Sequence, residues 1–471
     1  MKKILIICAA AALTGCGIYK PYTRPEVKTD GLYGTAETAD TTTIGNLGWE
    51  EMFTDPYLRT LIRQGLENNT DLQSAQWRIK EAEATLKSAR LAYLPSFNFA
   101  PQGSMSSFDW ATPGKTYSIP VTASWQIDIF NGLTNAKRKS KALYLQSKEY
   151  EQAVKTQLIS GIANLYYTLL MLDGQYEVTE QTAGKWRESV RTMRALKEAG
   201  MANEAAVAQY ERSLAQAQNA LNLVVGAQVP ADLEPNNLEE ATNYGAIAPA
   251  GLSSDILLNR PDIKAAEHNL MSANANIGAA RANFFPRITL TAGIGSTSRH
   301  LSDLFDAGTG LWTFAPSVSL PIFTGGANLS TLRQAEAQQK IMVATYEKTV
   351  QNAFAEVSDA LATVGTVNRQ CAALKDLVNA TETAYRLSQS RYKNGLDGFL
   401  TVLESQRQMV AAQTNYISAE SNRLSSGVML YKVLGGGSVV EPEAQTAAQA
   451  VTPAAAEPAQ TIPVSSGGGN A

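Results

Sequence analysis

The sequence predicts an internally duplicated α+β membrane protein, with long α-helical hairpins and four transmembrane β-strands per chain. Three observations support this class: the chain repeats itself, alternating segments follow a proline in each half, and two very long stretches lack proline. The chain has 471 residues, enough for several domains, with 40 Lys and Arg against 43 Asp and Glu. This balance, without a basic stripe, argues against nucleic acid as a partner.

The duplication is visible as matching segments in the two halves of the chain. Residues 68–95 match residues 259–286, and shorter echoes join 129–132 to 322–325 and 191–200 to 386–395. The tail is rich in Ala, Pro, Gly and Ser, a composition that cannot bury a core. The expected organisation is a signal peptide at 1–15, a lipidated extended segment at 16–48, a first repeat at 49–230, a linker at 231–254, a second repeat at 255–434 and a disordered tail at 435–471.

Four segments alternate between apolar and polar residues, as a strand with one apolar face does. The clearest runs from Tyr117 to Phe130. The strands are expected at about 96–107, 117–130, 287–299 and 312–324, each near the roughly 9–11 residues that a tilted strand needs to cross a bilayer. A soluble sheet with one wet face has the same pattern. Pro120, Pro316 and Pro321 count against regular pairing, because proline donates no backbone hydrogen bond.

Four strands cannot close a barrel by themselves. An open sheet edge in hydrocarbon would leave backbone groups unpaired, at several kcal/mol each. Two chains would give eight strands around a filled interior, whereas three would give twelve, which can leave a channel. Strands that span a membrane therefore predict an oligomer with a pore, most simply a homotrimer.

The N-terminus has the form of a lipoprotein signal. Met1-Lys2-Lys3 precedes a short apolar run that ends in Leu13-Thr14-Gly15-Cys16, a lipobox. The alternative is an ordinary signal peptide with a chance cysteine. We expect the mature protein to begin at Cys16, with acyl chains buried in a membrane leaflet. Gly17 is not an acidic residue of the type that retains lipoproteins in the inner membrane, so we expect a lipid anchor in the outer membrane and a body in the periplasm.

The last helical segment carries two apolar stripes and one polar stripe. One apolar stripe recurs every seven residues from Leu396 to Tyr431, and a second runs beside it from Val402 to Leu430. Two adjacent stripes are typical of a helix with neighbours on both sides, as in the wall of a cylinder. The third stripe is either a solvated outer face or the wet inner face of a hollow cylinder, and it includes Asp397, Leu400, Glu404 and Arg407. Asn394-Gly395 just before it predicts a helix end and a chain reversal.

Several motifs occur together and in order. The longest is RYKNGLDGFLTVLESQR at residues 391–407, and the others are Trp49, Asp55-Pro56, Leu258-Asn259-Arg260-Pro261-Asp262 and Pro321-Ile322-Phe323-Thr324-Gly325-Gly326. Together they resemble the outer-membrane efflux factors of the TolC superfamily, most closely the OprM/NodT lipoprotein branch. The similarity covers roughly residues 45–437.

The resemblance implies a homotrimer with a 12-stranded outer-membrane β-barrel that continues into a 12-helix periplasmic tunnel. The implied partners are a periplasmic adaptor (membrane fusion) protein, an inner-membrane RND-type pump and outer-membrane lipid. By motif, the periplasmic aperture is closed by Leu400, Glu404 and Arg407 with Asp397 nearby, and the tip turns at Gly200 and Gly395 contact the adaptor. In such a gate Glu404 of one subunit would contact Arg407 of its neighbour. Many relatives have aspartate at the position of Glu404. Because the two side chains differ in length, the resemblance does not fix how far the copies of Glu404 extend into the aperture.

No catalytic site, metal site or cofactor is expected. The two histidines, His268 and His300, are far apart in the sequence, and no metal-ligand cluster, nucleophile elbow or phosphate-binding loop occurs. Cys371, in an apolar helical stretch, is expected to be a small core residue. The resemblance implies that the chain is the exit duct of a tripartite efflux system. The alternatives are the outer-membrane channel of a type I protein secretion system and a lipid-anchored coiled-coil scaffold, which would leave the four strands unexplained.

Overall fold

The structure, a computed structural model of the chain, describes residues 21–25, 47–107, 113–192, 222 and 259–437. Its helices are α1 (Trp49–Met52), α2 (Pro56–Asn68), α3 (Thr70–Leu91), α4 (Gly132–Thr192), α5 (Pro261–Ala282), α6 (Ala327–Lys393) and α7 (Phe399–Val433). Its strands are β1 (Ser96–Phe99), β2 (Gln102–Ser106), β3 (Gly114–Ser118), β4 (Val121–Ile127), β5 (Arg287–Ser298) and β6 (Gly310–Ser319).

The two halves of the chain have the same plan of elements. Each half contains a helix of 22 residues, α3 or α5, which leads into a strand hairpin. Each hairpin is followed by a long helix, of which the structure describes 61 residues in α4 and 67 in α6. At a rise of about 1.5 Å per residue, α6 is about 100 Å long. None of the described helices has an apolar stretch long enough to cross a membrane.

The sheet consists of four long antiparallel strands, two of which are interrupted. β1 and β2 form the first and β3 and β4 the second, followed in order by β5 and β6. The interruptions lie at residues 100–101 and 119–120. The Ala100 N–H donates to the Pro120 carbonyl oxygen at 3.4 Å, but Pro120 has no N–H to donate in return. The interruptions correct the continuous strands predicted at 96–107 and 117–130. The register is the same on both sides of each break, so the alternation of faces continues across it.

The second hairpin also differs from the prediction at one end. β5 lies within the predicted 287–299, but β6 ends at Ser319 instead of 324. Pro321 donates no hydrogen bond, and Gly325 and Gly326 have φ values of +60° and +86°, which turn the chain into α6. The predicted last residues of this strand therefore belong to the turn that leads into the helix.

Pro316 lies inside β6 despite its missing N–H. The Thr297 N–H donates to the Thr309 carbonyl oxygen at 2.9 Å, and this bond fixes which residues of β5 and β6 exchange hydrogen bonds. Pro316 faces Leu290 at a position that makes none, so its nitrogen points away from β5. The proline therefore costs this strand pair no hydrogen bond.

All four helix–strand junctions lie at the same end of the sheet. α3 enters β1 and α5 enters β5 there, while β4 and β6 leave that end for α4 and α6. The pairings Ser96–Ser124, Ile127–Ile288 and Arg287–Ser319 align these chain ends. The helices consequently extend from one end of the sheet, and the hairpin connections lie at the other.

The main hydrophobic core lies where α1 and α2 pack against the middle of α4 and α6 and the end of α7. Tyr57 of α2 stacks on Tyr166 of α4 at 5.4 Å between ring centroids. The Tyr166 hydroxyl donates to Asp55 Oδ2 at 2.6 Å, while Oδ1 accepts from the Tyr57 N–H and caps α2. The Asp-Pro motif therefore starts a helix and joins it to the core.

α7 packs between α4 and α6, as its two apolar stripes predict. Val402 and Met409 are buried, whereas Leu403 and Val410 are half-buried. Leu396, the first member of the predicted stripe, precedes the helix and is exposed, because the chain is still reversing there. Cys371 of α6 is buried, in agreement with the prediction.

Candidate functional site: a helical tip and a two-faced sheet

The reversal between α6 and α7 is fixed by backbone hydrogen bonds around Gly395. The Gly395 N–H donates to the Tyr392 carbonyl oxygen and the Leu396 N–H to that of Arg391, both at 2.9 Å. This pattern ends a helix with a residue in the left-handed conformation, and Gly395 has a φ of +70°. A side chain at this position would strain the backbone, so the glycine allows the sharp turn at the helical tip.

Asp397 is held across this turn by Arg391. The Arg391 guanidinium donates from Nε and Nη2 to the two carboxylate oxygens, at 2.7 and 3.0 Å. These hydrogen bonds lower the pKa of Asp397, so the carboxylate stays ionised near neutral pH. The motif predicted Asp397 at the aperture but gave no role to Arg391, although its spacing from Asp397 across a predicted turn was the available signal.

Glu404 and Arg407 pair with each other on one face of α7. Arg407 donates from Nε and Nη2 to the two oxygens of Glu404 at 3.1 and 2.9 Å, and Gln408 adds a bond of 3.1 Å. The bonds from Arg407 and then Gln408 lower the pKa of Glu404. In the single chain this pair lies within one helix, whereas the sequence analysis expected contacts between neighbouring subunits; Gln408 was not anticipated.

Leu400 lies one turn before this pair and is 78% exposed. Leu400 is thus an apolar residue of the third stripe, between Asp397 with its partner Arg391 and the Glu404–Arg407 pair. An exposed leucine flanked by paired charges suits a narrow constriction, where it would exclude water if other chains brought equivalent side chains close. Gly200 and Cys16, the other predicted site residues, lie outside the described residues.

One face of the sheet is apolar in every described row between β1 or β4 and β6. The cross-strand rows on this face are Phe99–Val121–Ile294–Trp312, Phe97–Ala123–Ala292–Phe314, Trp125–Leu290–Pro316 and Ile127–Ile288–Val318. Trp312 is 77% exposed and Phe97 73%. The rows extend for about 20 Å along the strands at about 3.3 Å per residue. An apolar face of this size on a single chain requires an apolar partner, such as lipid.

The opposite face is polar along the same rows. Its members are Asn98–Thr122–Gly293–Thr313, Ser96–Ser124–Thr291–Ala315, Gln126–Thr289–Ser317 and Arg287–Ser319. A Cβ on Gly293 would lie 2.7 Å from Thr313 Oγ1, so the glycine makes room for a hydroxyl on this face. A strand with one apolar and one polar face is the pattern of a barrel that has lipid outside and water inside.

The described N-terminal segment, residues 21–25, is tied to α5. The Arg24 guanidinium donates from Nε and Nη2 to the two oxygens of Glu267 at 2.8 and 2.7 Å, and the Tyr22 hydroxyl donates to Glu267 at 3.3 Å. Burial and the nearby Glu267 carboxylate raise the pKa of Tyr22 well above its ordinary value, so the phenol stays neutral. These contacts fix the chain six residues after Cys16 to the helical body.

A cleft of about 560 Å³ lies at the junction of sheet and helices. Arg287, Gln126, Asp128 and Ser319 line it together with the starts of α4 and α6 and the end of α5. No group of His, Cys, Asp and Glu side chains in the described ranges is arranged to hold a metal ion.

Comparison with known proteins gives one family and several close relatives. Residues 61–234 and 252–436 match the model of the outer membrane efflux protein family. The chain is 37% identical over 467 residues to the probable efflux pump outer membrane protein TtgC of Pseudomonas putida, covering 93% of this chain and 96% of the relative. It is 35% identical over 462 residues to the cation efflux system protein CusC of Escherichia coli O157:H7, covering 92% and 98%.

A solved structure has the same fold. The open state of the MtrE outer membrane channel of Neisseria gonorrhoeae superposes with a TM-score of 0.84 at 33% identity. The similarity covers 90% of this chain and 98% of MtrE. The element order, the sheet and the helical tip described above thus match those of an outer membrane channel over nearly its whole length.

Proposed function

Because the chain belongs to the outer membrane efflux protein family, a family of transport channels, we propose that it is the exit duct of a tripartite efflux system. It is located in the outer membrane and passively conducts substrates from an inner-membrane pump and a periplasmic adaptor to the outside. The observation that carries this proposal is the two-faced sheet with all the described α-helices at one end. Lipid would cover the apolar face and water the polar face.

A single chain leaves both outer edges of this sheet open, at β1–β2 and at β6. In hydrocarbon these edges must be paired. A homotrimer would pair them between subunits and give a barrel of twelve long strands around a water-filled space. The long helices of three subunits would then surround a periplasmic tunnel, and Asp397, Leu400, Glu404 and Arg407 would meet their equivalents at its narrow end.

The paired charges at the tip support a gate that can open. Each tip carboxylate is satisfied by an arginine of its own chain, Asp397 by Arg391 and Glu404 by Arg407. Opening would therefore leave no carboxylate without a partner. The adaptor, docking at the turns around Gly200 and Gly395, would favour the open state by binding it more tightly than the closed state.

The remaining parts of the proposal concern anchoring and cargo. Cys16 would carry the lipid anchor, and the contacts of Tyr22 and Arg24 with Glu267 would join the anchored segment to the tunnel wall. The pump would be of the RND type. Relatives of similar identity are named for toluene and for cation efflux, so the cargo has to be measured.

The test is single-channel conductance of the purified protein in planar bilayers. We expect a small, mostly closed conductance that rises in the double variant Glu404→Ala/Arg407→Ala. The matched control is Lys80→Ala/Glu83→Ala, which removes an exposed pair of the same spacing from α3. It should behave like the unmodified protein. A folded trimer that never conducts in any form would refute the channel and favour the scaffold, and equal conductance of all three forms would place the gate elsewhere.

A further inference from the structure

The polar face of the sheet carries almost no charge. Along the described strands, the side chains that alternate onto this face are those of Ser, Thr, Asn and Gln, with a few small or apolar residues. The one exception within the described strands is Arg287, the first residue of β5. It alternates with Ile288, which lies on the apolar face, and it stands opposite Ser319. A water-filled passage along this face would be neutral up to its junction with the helices, where Arg287 and Asp128 line the same cleft.

Arg287 forms no ion pair in the described part of the chain. Its side chain is exposed. The acid in the same cleft, Asp128, uses its Oδ1 for the Leu133 N–H at 2.9 Å and its Oδ2 for the Thr134 N–H and hydroxyl at 2.8 and 2.7 Å. Asp128 keeps its negative charge, but both of its oxygens cap the start of α4, where the helix dipole offsets part of that charge.

The tip offers no comparable unpaired charge among its predicted site residues. Asp397 is bound by Arg391 and Glu404 by Arg407, so each pair contributes little net field. Arg287 instead lies at the opposite end of α6 from this tip, where the sheet meets the helices. A charge in a narrow aqueous passage with low-dielectric walls acts strongly on ions that pass it.

We propose that Arg287 sets the charge preference of the duct, as a positive ring at the neck between sheet and helices that favours anionic solutes over cations. This rests on the proposed function, because it needs a conducting trimer in which three copies of Arg287 surround one passage. The class of cargo favoured is small or flexible solutes with a negative charge. Rings of arginine or lysine select anions in other pores by the same physics.

The experiment measures reversal potentials of single channels in a KCl gradient. Arg287→Gln should raise the permeability of K⁺ relative to Cl⁻ by about two-fold or more near 0.1 M salt, and less near 1 M, because the Debye length falls from about 10 Å to about 3 Å. The matched control is Lys115→Gln, which removes the same charge from β3 on the other face of the sheet. It should leave the ratio unchanged.

A chemical rescue separates the charge from the packing of the side chain. Arg287→Cys introduces an accessible thiol, while the native Cys371 is buried. A cationic methanethiosulfonate reagent should restore the original ratio, and an anionic one should shift it further toward K⁺. Each added group forms a disulfide with the thiol and releases sulfinate, so only the charge at residue 287 differs between the two arms.

The outcomes distinguish the two proposals. Channels that conduct but keep the same ratio in Arg287→Gln, or in which Lys115→Gln has an equal effect, would overturn the role of Arg287 and leave the duct intact. A folded trimer that conducts in none of its forms would overturn both. The result we expect is a shift in both Arg287→Gln and Arg287→Cys, with only the cationic reagent reversing the shift in Arg287→Cys.

Discussion

The Arg260 guanidinium donates from Nη1 to the carbonyl oxygen of Val433 at 2.8 Å and so joins the start of α5 to the end of α7. The same group binds both oxygens of Asp262, at 3.0 and 2.7 Å, and reaches Glu356 of α6 at 2.7 Å. Arg260 is 7% exposed. One side chain of the Asn-Arg-Pro-Asp motif therefore connects three helices at the middle of the molecule.

Replacing Arg260 should destabilise the helical body. In Arg260→Ala the Val433 carbonyl loses its donor and two half-exposed carboxylates lose their partner, which should lower the free energy of unfolding by about 2–3 kcal/mol. Arg260→Lys should recover only part of this, because an ammonium cannot match the planar fork. The measurement is denaturant unfolding of the purified protein, with Arg63→Ala as the control. That variant breaks an exposed pair with Glu50 and should cost below about 1 kcal/mol.

Two helical glycines should respond in opposite directions to alanine. A Cβ on Gly278 would lie 2.6 Å from Nδ2 of the fully buried Asn135, so Gly278→Ala should destabilise by about 1–3 kcal/mol through overpacking. A Cβ on Gly365 would meet nothing within 4 Å, so Gly365→Ala should stabilise by about 0.5–1 kcal/mol. Thermal unfolding midpoints of the pair decide this, and a stabilising Gly278→Ala would contradict the close packing of α4 on α5.

The variant Glu267→Ala should release the described N-terminal segment, residues 21–25. Glu267 is bound by Arg24 and Tyr22, and loss of these bonds should speed chymotrypsin cleavage after Tyr22 by about 3- to 10-fold, since Arg24 is half-exposed and its pair is partly screened. Mass spectrometry of the fragments measures the rate. The matched control, Glu336→Ala, breaks a looser pair with Arg281 at 3.6 Å and should leave this cleavage unchanged.

Because of Cys371, the free energy of unfolding should depend on pH in the alkaline range. Burial, with a smaller effect of Glu420, raises the pKa of the thiol from 9.0 to about 11. The folded state then holds the proton more tightly than the unfolded state, so this stabilisation is complete below about pH 9 and is lost as the pH rises through about 11.

The matching experiment compares the protein with Cys371→Ala at pH 8 and at pH 10.5. The unmodified protein should lose about 1–3 kcal/mol more than the variant between the two values. Equal losses in both proteins would mean that the thiol is not held neutral by burial.

The strands and helices could be predicted because their patterns are local. Alternation from Tyr117 to Phe130 follows from the two-residue period of a strand, and the lengths of α4 and α6 follow from stretches without proline. The interruptions at residues 100–101 and 119–120 were harder to predict. Whether a missing N–H breaks a ladder depends on which neighbouring strand it faces, and Pro316 shows the opposite outcome.

At the tip, the motif located the residues but not their partners. Glu404 and Arg407 were expected to meet across subunits, whereas in the single chain they pair along one helix, and Asp397 is bound by Arg391 across the turn. A sequence gives the spacing of such groups. The choice between partners depends on the path of the turn at Gly395 and on which side chains it brings within reach.

By itself, the sequence determined the duplication, the helix and strand periods, the position of the tip turn and the family. These depend on backbone geometry over a few residues and on motifs that stand in order. The tertiary structure alone decided the bond from Arg260 to Val433, the contacts of Arg24 with Glu267 and the position of Arg287 outside the ion pairs of the described residues. In each case the groups lie far apart in the chain. Their distances are therefore set by the packing of whole helices and by strand register, and not by local preference.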